Sequence, residues 1–149
     1  MSQSDKLQAS RYEFKYYVDE YHAKEIREFV MCYLRPDDHT LNREGIGYPV
    51  HSLYFDSPGL ETVWATVRGE KNRFKLRVRF YDDAPDSPLF LEIKRRQNLV
   101  ILKQRAIVKR SCADRLLNGH WLERSDLLVD NEKNFRAMYN FCELCASIN

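Results

Sequence analysis

The stretch Asn72-Arg-Phe-Lys-Leu-Arg-Val-Arg-Phe-Tyr81 decides the reading of this chain. It alternates without a break. Arg73, Lys75, Arg77 and Arg79 share one face of an extended strand, and Phe74, Leu76, Val78 and Phe80 share the other. The apolar face calls for a core. The cationic face calls for a partner, because four like charges in a row repel one another and a face meant only for water mixes its signs.

Two more strands follow with the same period. Residues 88–97 place Leu89, Leu91 and Ile93 on one face and Phe90, Glu92, Lys94 and Arg96 on the other. Residues 100–109 carry Lys103, Arg105 and Lys109 in phase. A hairpin around residues 97–99 joins them, although no tight-turn dipeptide marks it. Paired antiparallel, the three strands align their cations into a two-dimensional positive field. Curling the sheet encloses that field in a channel whose low-dielectric walls focus it on a bound anion. Side chains two residues apart on a strand project about 6.6 Å apart, a spacing suited to repeating anionic units. Guanidinium forks and ammonium groups both suit phosphate oxygens.

Upstream, residues 50–56 read as a strand ended by Ser57-Pro58-Gly59, and a short helix over 60–67 stops at Gly69. Residues 10–18 alternate as a further strand, with Arg11, Glu13, Lys15 and Tyr17 on one face. Asp19 caps the next helix, whose apolar stripe is Ile26, Phe29, Val30, Tyr33 and Leu34. Residues 35–49 read as a loop and residues 1–9 as a disordered N-terminus. Downstream, Ser111 is placed to cap a helix carrying Leu116 and Leu117, and a longer helix spans about 131–146. The fold class is α+β, an antiparallel sheet curling into a partial barrel with flanking helices, and residues 10–149 form one domain.

The 149 residues carry a net charge of only +2, yet twelve cations face four anions between Lys71 and Arg110. Charge segregated in this way points to an anionic ligand. No signal peptide and no bilayer-spanning apolar run is present, and four cysteines make no disulfide framework, which suggests a reduced, cytoplasmic setting. Cys142 and Cys145, three apart on a helix, read as core packing. His51 shares a face with Leu53 and Phe55 and reads as buried. No nucleophile-plus-base set, glycine-rich phosphate loop or Walker motif is visible. Two roles stay open for Glu13 and Glu92: cross-strand ion pairs with the neighbouring cations, or ligands for a divalent metal that bridges phosphates. Two other readings of the basic face are a solvated surface and a platform for single-stranded nucleic acid; against the second, the aromatic residues fall mostly out of phase with the cations.

Five segments, in order, resemble the VTC domain, the polyphosphate-polymerase module of the CYTH-like triphosphate tunnel metalloenzymes. They are Arg11-Tyr-Glu-Phe-Lys15-Tyr-Tyr, Ser52-Leu-Tyr-Phe-Asp56-Ser, Lys75-Leu-Arg-Val-Arg79-Phe-Tyr, Phe90-Leu-Glu-Ile-Lys94-Arg-Arg and Lys103-Gln-Arg105. The resemblance implies a tunnel that binds triphosphate and polyphosphate, transfer of the ATP γ-phosphoryl group to a polyphosphate chain, and a divalent metal, manganese or magnesium, not fully ligated by this chain alone. It implies phosphate contacts at Arg11, Lys15, Lys75, Arg77, Arg79, Lys94, Lys103 and Arg105, with Arg77, Arg79 and Lys94 nearest the chemistry, and Glu13 and Glu92 as metal candidates. Relatives build such tunnels from about eight strands, whereas five are legible here. The expectation is therefore a domain lacking the second half of its tunnel: a fragment, a half-barrel completed by a second copy or another chain, or an open groove that binds without catalysis.

Overall fold

A computed structural model describes residues 16–36 and 47–148. Most of the strand expected over 10–18, with Arg11, Glu13 and Lys15, lies outside the described residues, and residues 16–18 have no regular structure. The chain divides into two compact units, Met1–Gly47 and Tyr48–Asn149.

In the first unit, α1 spans Glu20–Met31. Asp19 caps it as expected, its Oδ1 accepting from the His22 backbone N–H at 2.8 Å. Among the described residues its stripe is not buried: Ile26, Phe29, Tyr33 and Leu34 are exposed and Val30 is half-buried.

The second unit is a four-stranded antiparallel meander, β1 (His51–Phe55), β2 (Asn72–Phe80), β3 (Leu89–Gln97) and β4 (Val100–Val108), in the order β1-β2-β3-β4. Among the described residues it is a sheet with two edges and does not close into a barrel. Strict alternation fixes which face is inward, since a one-residue slip exposes every apolar side chain. The register pairs Leu76 with Ile93 and Val78 with Leu91 on one face, and Lys75 with Lys94 and Arg77 with Glu92 on the other. The hairpin between β3 and β4 is a two-residue turn in which Asn98 adopts φ +53°, a left-handed conformation that asparagine tolerates well.

Between β1 and β2 lies the short helix α2 (Glu61–Val67). Its free N–H groups are satisfied from the strand before it. Asp56 accepts from the backbone N–H groups of Ser57, Thr62 and Val63 and from the Thr62 hydroxyl at 2.7–3.0 Å. The Ser57 hydroxyl accepts from Glu61 N–H at 3.1 Å. This geometry forces Leu60 into a left-handed φ of +56°.

After β4 the chain makes a 3₁₀ turn (Arg110–Cys112), α3 (Ala113–Leu117), a second 3₁₀ turn (Arg124–Asp126) and α4 (Glu132–Ile148). Ser111 lies inside the first turn and does not cap α3; Cys112 holds that position, its thiol turned to the Lys109 carbonyl at 2.9 Å rather than to the helix N–H groups. α4 covers the apolar face. Met138 and Phe141 are fully buried against Leu76, Leu91 and Val108, and Phe55 meets Phe141 edge-on with centroids 5.7 Å apart. Each such side chain contributes about 2–3 kcal/mol by leaving water. Cys142 is core, as its spacing implied, and Cys145 packs at its margin. His51 is not buried: it is exposed and stacks on Phe80 at 4.8 Å, because it begins an edge strand beyond the cover of α4.

Candidate functional site

With α4 occupying the apolar face, the other face of the sheet carries the cations. Its register builds two adjacent rows across the strands. The first runs Tyr54, Arg77, Glu92, Arg105 from β1 to β4, and the second runs Lys75, Lys94, Lys103 from β2 to β4. Both rows, together with Arg79, line one concavity of about 280 Å³. All six cations expected on β2, β3 and β4 as phosphate contacts therefore converge. The other cations of the basic segment go elsewhere. Arg73 donates to the Glu70 carbonyl, Arg96 to the Asn98 carbonyl at 2.7 Å, Lys109 to the Ser125 carbonyl at 2.7 Å and Arg110 to the Ser87 carbonyl at 3.2 Å. Lys109 thus leaves the row that its phase suggested, because β4 ends at Val108.

Glu92 stands at the centre of the first row and is only 9% exposed. Arg77 donates through Nε to Glu92 Oε2, and Arg105 donates through Nε to Oε1 at 2.9 Å and again through its terminal nitrogen. Burial alone raises the Glu92 pKa, but the hydrogen bonds and charges of Arg77 and Arg105 outweigh it and hold the carboxyl below its ordinary value. The Arg77 guanidinium also donates to the Tyr54 hydroxyl at 3.3 Å. Burial works to lower its pKa, and Tyr54 and Glu92 more than compensate, so its cationic form is stabilised.

Arg79 is held differently. Its Nε is buried and makes no hydrogen bond, with Glu92 Oε2 at 3.9 Å. In the second row, no described ion pair or hydrogen bond engages the side chains of Lys75, Lys94 or Lys103. Like charges directly opposite on neighbouring strands are destabilising, and no described carboxylate offsets these three. A buried, unpaired guanidinium N–H beside a row of uncompensated ammonium groups is a donor set for a multiply charged anion.

A divalent metal fits less well. Both Glu92 oxygens are taken by arginines, and among the described residues no group of three or more His, Cys, Asp or Glu side chains gathers. Among the described residues lining the concavity there is no histidine, cysteine or serine. Positioning and charge are what this lining can supply.

Residues 10–146, nearly the whole chain, match the VTC domain. The chain belongs to the VTC domain family. Membership ties it to polyphosphate-related function, in keeping with the cationic lining of the concave face. A comparison with curated proteins finds no match. Among the described residues no helix is long and apolar enough to cross a membrane.

Two lining residues of this VTC domain escaped the sequence reading. Tyr54 lies out of phase with Leu53 and Phe55, a signal that was present in the alternation of its strand. Gln104 belongs to the opposite face, where its Oε1 accepts from Asn140 of α4 at 3.1 Å, yet it also lines the concavity. Nothing in its spacing announced that.

Proposed function

We propose that this VTC domain binds the triphosphate of ATP and a polyphosphate chain on its concave cationic face. We also propose that it belongs to the phosphotransferases that extend polyphosphate with the ATP γ-phosphoryl group. The observation that carries the reading is the unpaired lysine row Lys75, Lys94, Lys103 lying beside Arg77, Arg79 and Arg105 in one concavity. In this reading Arg79 and the lysine row grip phosphate oxygens. Arg77, held by Tyr54 and Glu92, presents its remaining N–H groups to the γ-phosphate. Lys94, at the middle of the row, neutralises charge as the phosphoryl group passes to an acceptor aligned in line with it. Catalysis is then positioning plus electrostatics, and no side-chain nucleophile takes part. No step is assigned to a divalent metal, since the described residues present no ligand set for one.

The two edges open among the described strands favour a second reading, a module that binds polyphosphate without turning it over. Incubation with ATP and manganese, followed by gel detection of long-chain polyphosphate, separates the two. The transferase reading expects chain growth that is lost in Arg79→Ala. Salt-sensitive tripolyphosphate binding without product supports the binding module alone. Tighter binding of single-stranded RNA than of tripolyphosphate at equal salt sinks both.

A further inference from the structure

Glu92 is out of place in an anion site. Among the described residues it is the sole carboxylate lining the concavity, it is nearly buried, and it binds the two guanidinium groups that face it across the sheet. A structural ion pair in a sheet needs one partner, and this carboxylate has two, with a third guanidinium, Arg79, at 3.9 Å. Two carboxylate oxygens between arginine forks reproduce how a phosphate is held.

We infer that Glu92 is an internal counter-anion, standing in for a phosphate between Arg77 and Arg105 and exchanging with the incoming polyphosphate for those two forks. This rests on the proposed anion-binding role of the face. In the free protein Glu92 keeps the forks aligned and lessens the repulsion among six clustered cations. When a phosphate arrives, the arginines change partners, and the buried negative charge of Glu92 opposes the new one. The grip is weaker than six cations alone provide. A chain held in this way can still shift along the face or leave it, whereas an uncompensated site holds it fast. Arg79 and the lysine row, which have no competing carboxylate within hydrogen-bond reach, make the first contact.

The test is titration of tripolyphosphate into the whole chain at several sodium chloride concentrations, with wild type, Glu92→Gln and Glu92→Asp. Glutamine keeps the size and one acceptor oxygen but removes the charge. Glu92→Gln is expected to bind about tenfold more tightly and with a steeper salt dependence, because removing a like charge beside a bound anion favours binding and leaves more cations for the ligand to neutralise. Glu92→Asp, which keeps the charge, is expected to stay near wild type in salt dependence. A purely structural role predicts a lower melting temperature with affinity unchanged or reduced, and that outcome overturns the inference. Should Glu92→Gln not fold, the Nε–H resonances of Arg77 and Arg105 in ¹⁵N-labelled wild type decide: both move on adding tripolyphosphate if the forks change partners, and both staying fixed while Arg79 moves overturns the exchange. Absence of salt-sensitive binding in wild type and Glu92→Gln alike sinks the anion-binding reading as well. Wild-type binding that Glu92→Gln leaves unaltered sinks the counter-anion alone.

Discussion

Replacing Lys94 by glutamine makes the protein more stable and worse at binding, and the opposite signs make this the most discriminating experiment. Lys94 is directly opposite Lys75 on one neighbouring strand and Lys103 on the other. Directly opposed side chains start about 5 Å apart at Cβ, and in a water-facing site each repulsion is worth about 0.5 kcal/mol. Lys94 is exposed, so solvent screens it and nothing larger is warranted. Relief from two neighbours therefore adds about 1 kcal/mol, or about 3 °C in Tm for a chain of this size. Thermal unfolding at 20 mM and 500 mM salt checks this, since the gain should shrink towards zero as salt rises. In parallel, one lost charge-assisted contact should weaken tripolyphosphate about tenfold and flatten the salt dependence by a little under one charge. If Lys94→Gln lowers Tm at low salt and leaves binding intact, the lysine row is ordinary surface and the functional reading falls with it.

Four further outcomes follow from named residues. Asp56→Ala should cost about 2 kcal/mol in denaturant unfolding, because it strips the cap from α2, whereas Leu60→Gly should gain up to about 1 kcal/mol by removing the left-handed strain at an exposed site. Burial pushes the Cys112 thiol up to about 11 and the Cys145 thiol up to about 12, and raises Cys142, so at pH 8 a thiol reagent should label the exposed Cys32 quickly and the other three only after unfolding. The lowered Glu92 pKa means that the unfolded chain takes up this proton at a higher pH than the folded one does. Its contribution is therefore fully present above the ordinary value of 4.5 and is lost as pH falls through the depressed folded value; Glu92→Gln should flatten that part of the acid unfolding curve.

The sheet was legible because its strands alternate strictly and period two admits only one inward face. Leu76, Val78, Leu91 and Ile93 are buried as that period demands. The rows of the site were not legible to the same degree. Phase says which face a cation takes, but only register says that Lys75, Lys94 and Lys103 form a line or that Glu92 falls between two arginines, and register is a property of strand pairs. The loss of Arg73, Arg96, Lys109 and Arg110 from the field was not legible either, since strand ends and backbone carbonyls capture these side chains. The apolar stripe of α1 reads from the sequence like that of α4, yet α1 has no buried residue while α4 packs on the sheet of its own unit.

The two faces of this sheet answer to different demands, and the division explains why the cationic one can be so poorly balanced. Stability comes from the side under α4, where fully buried residues from β2, β3, β4 and α4 form one continuous core. Each residue on that side has its neighbour on the strand pointing the other way, so the charged rows can change without altering the core. The cost of opposing three lysines is a few kcal/mol at most, which a packed α/β layer tolerates. A site that must hold a polyanion and then release it gains from being neither fully compensated nor bare. Glu92 hydrogen-bonds Arg77 and Arg105 but only approaches Arg79 at 3.9 Å, and it does not pair with the lysine row, so the less compensated part captures and the compensated part yields. Charge variants separate these roles: Lys103→Glu should abolish capture, and Glu92→Gln should tighten the hold on the captured chain.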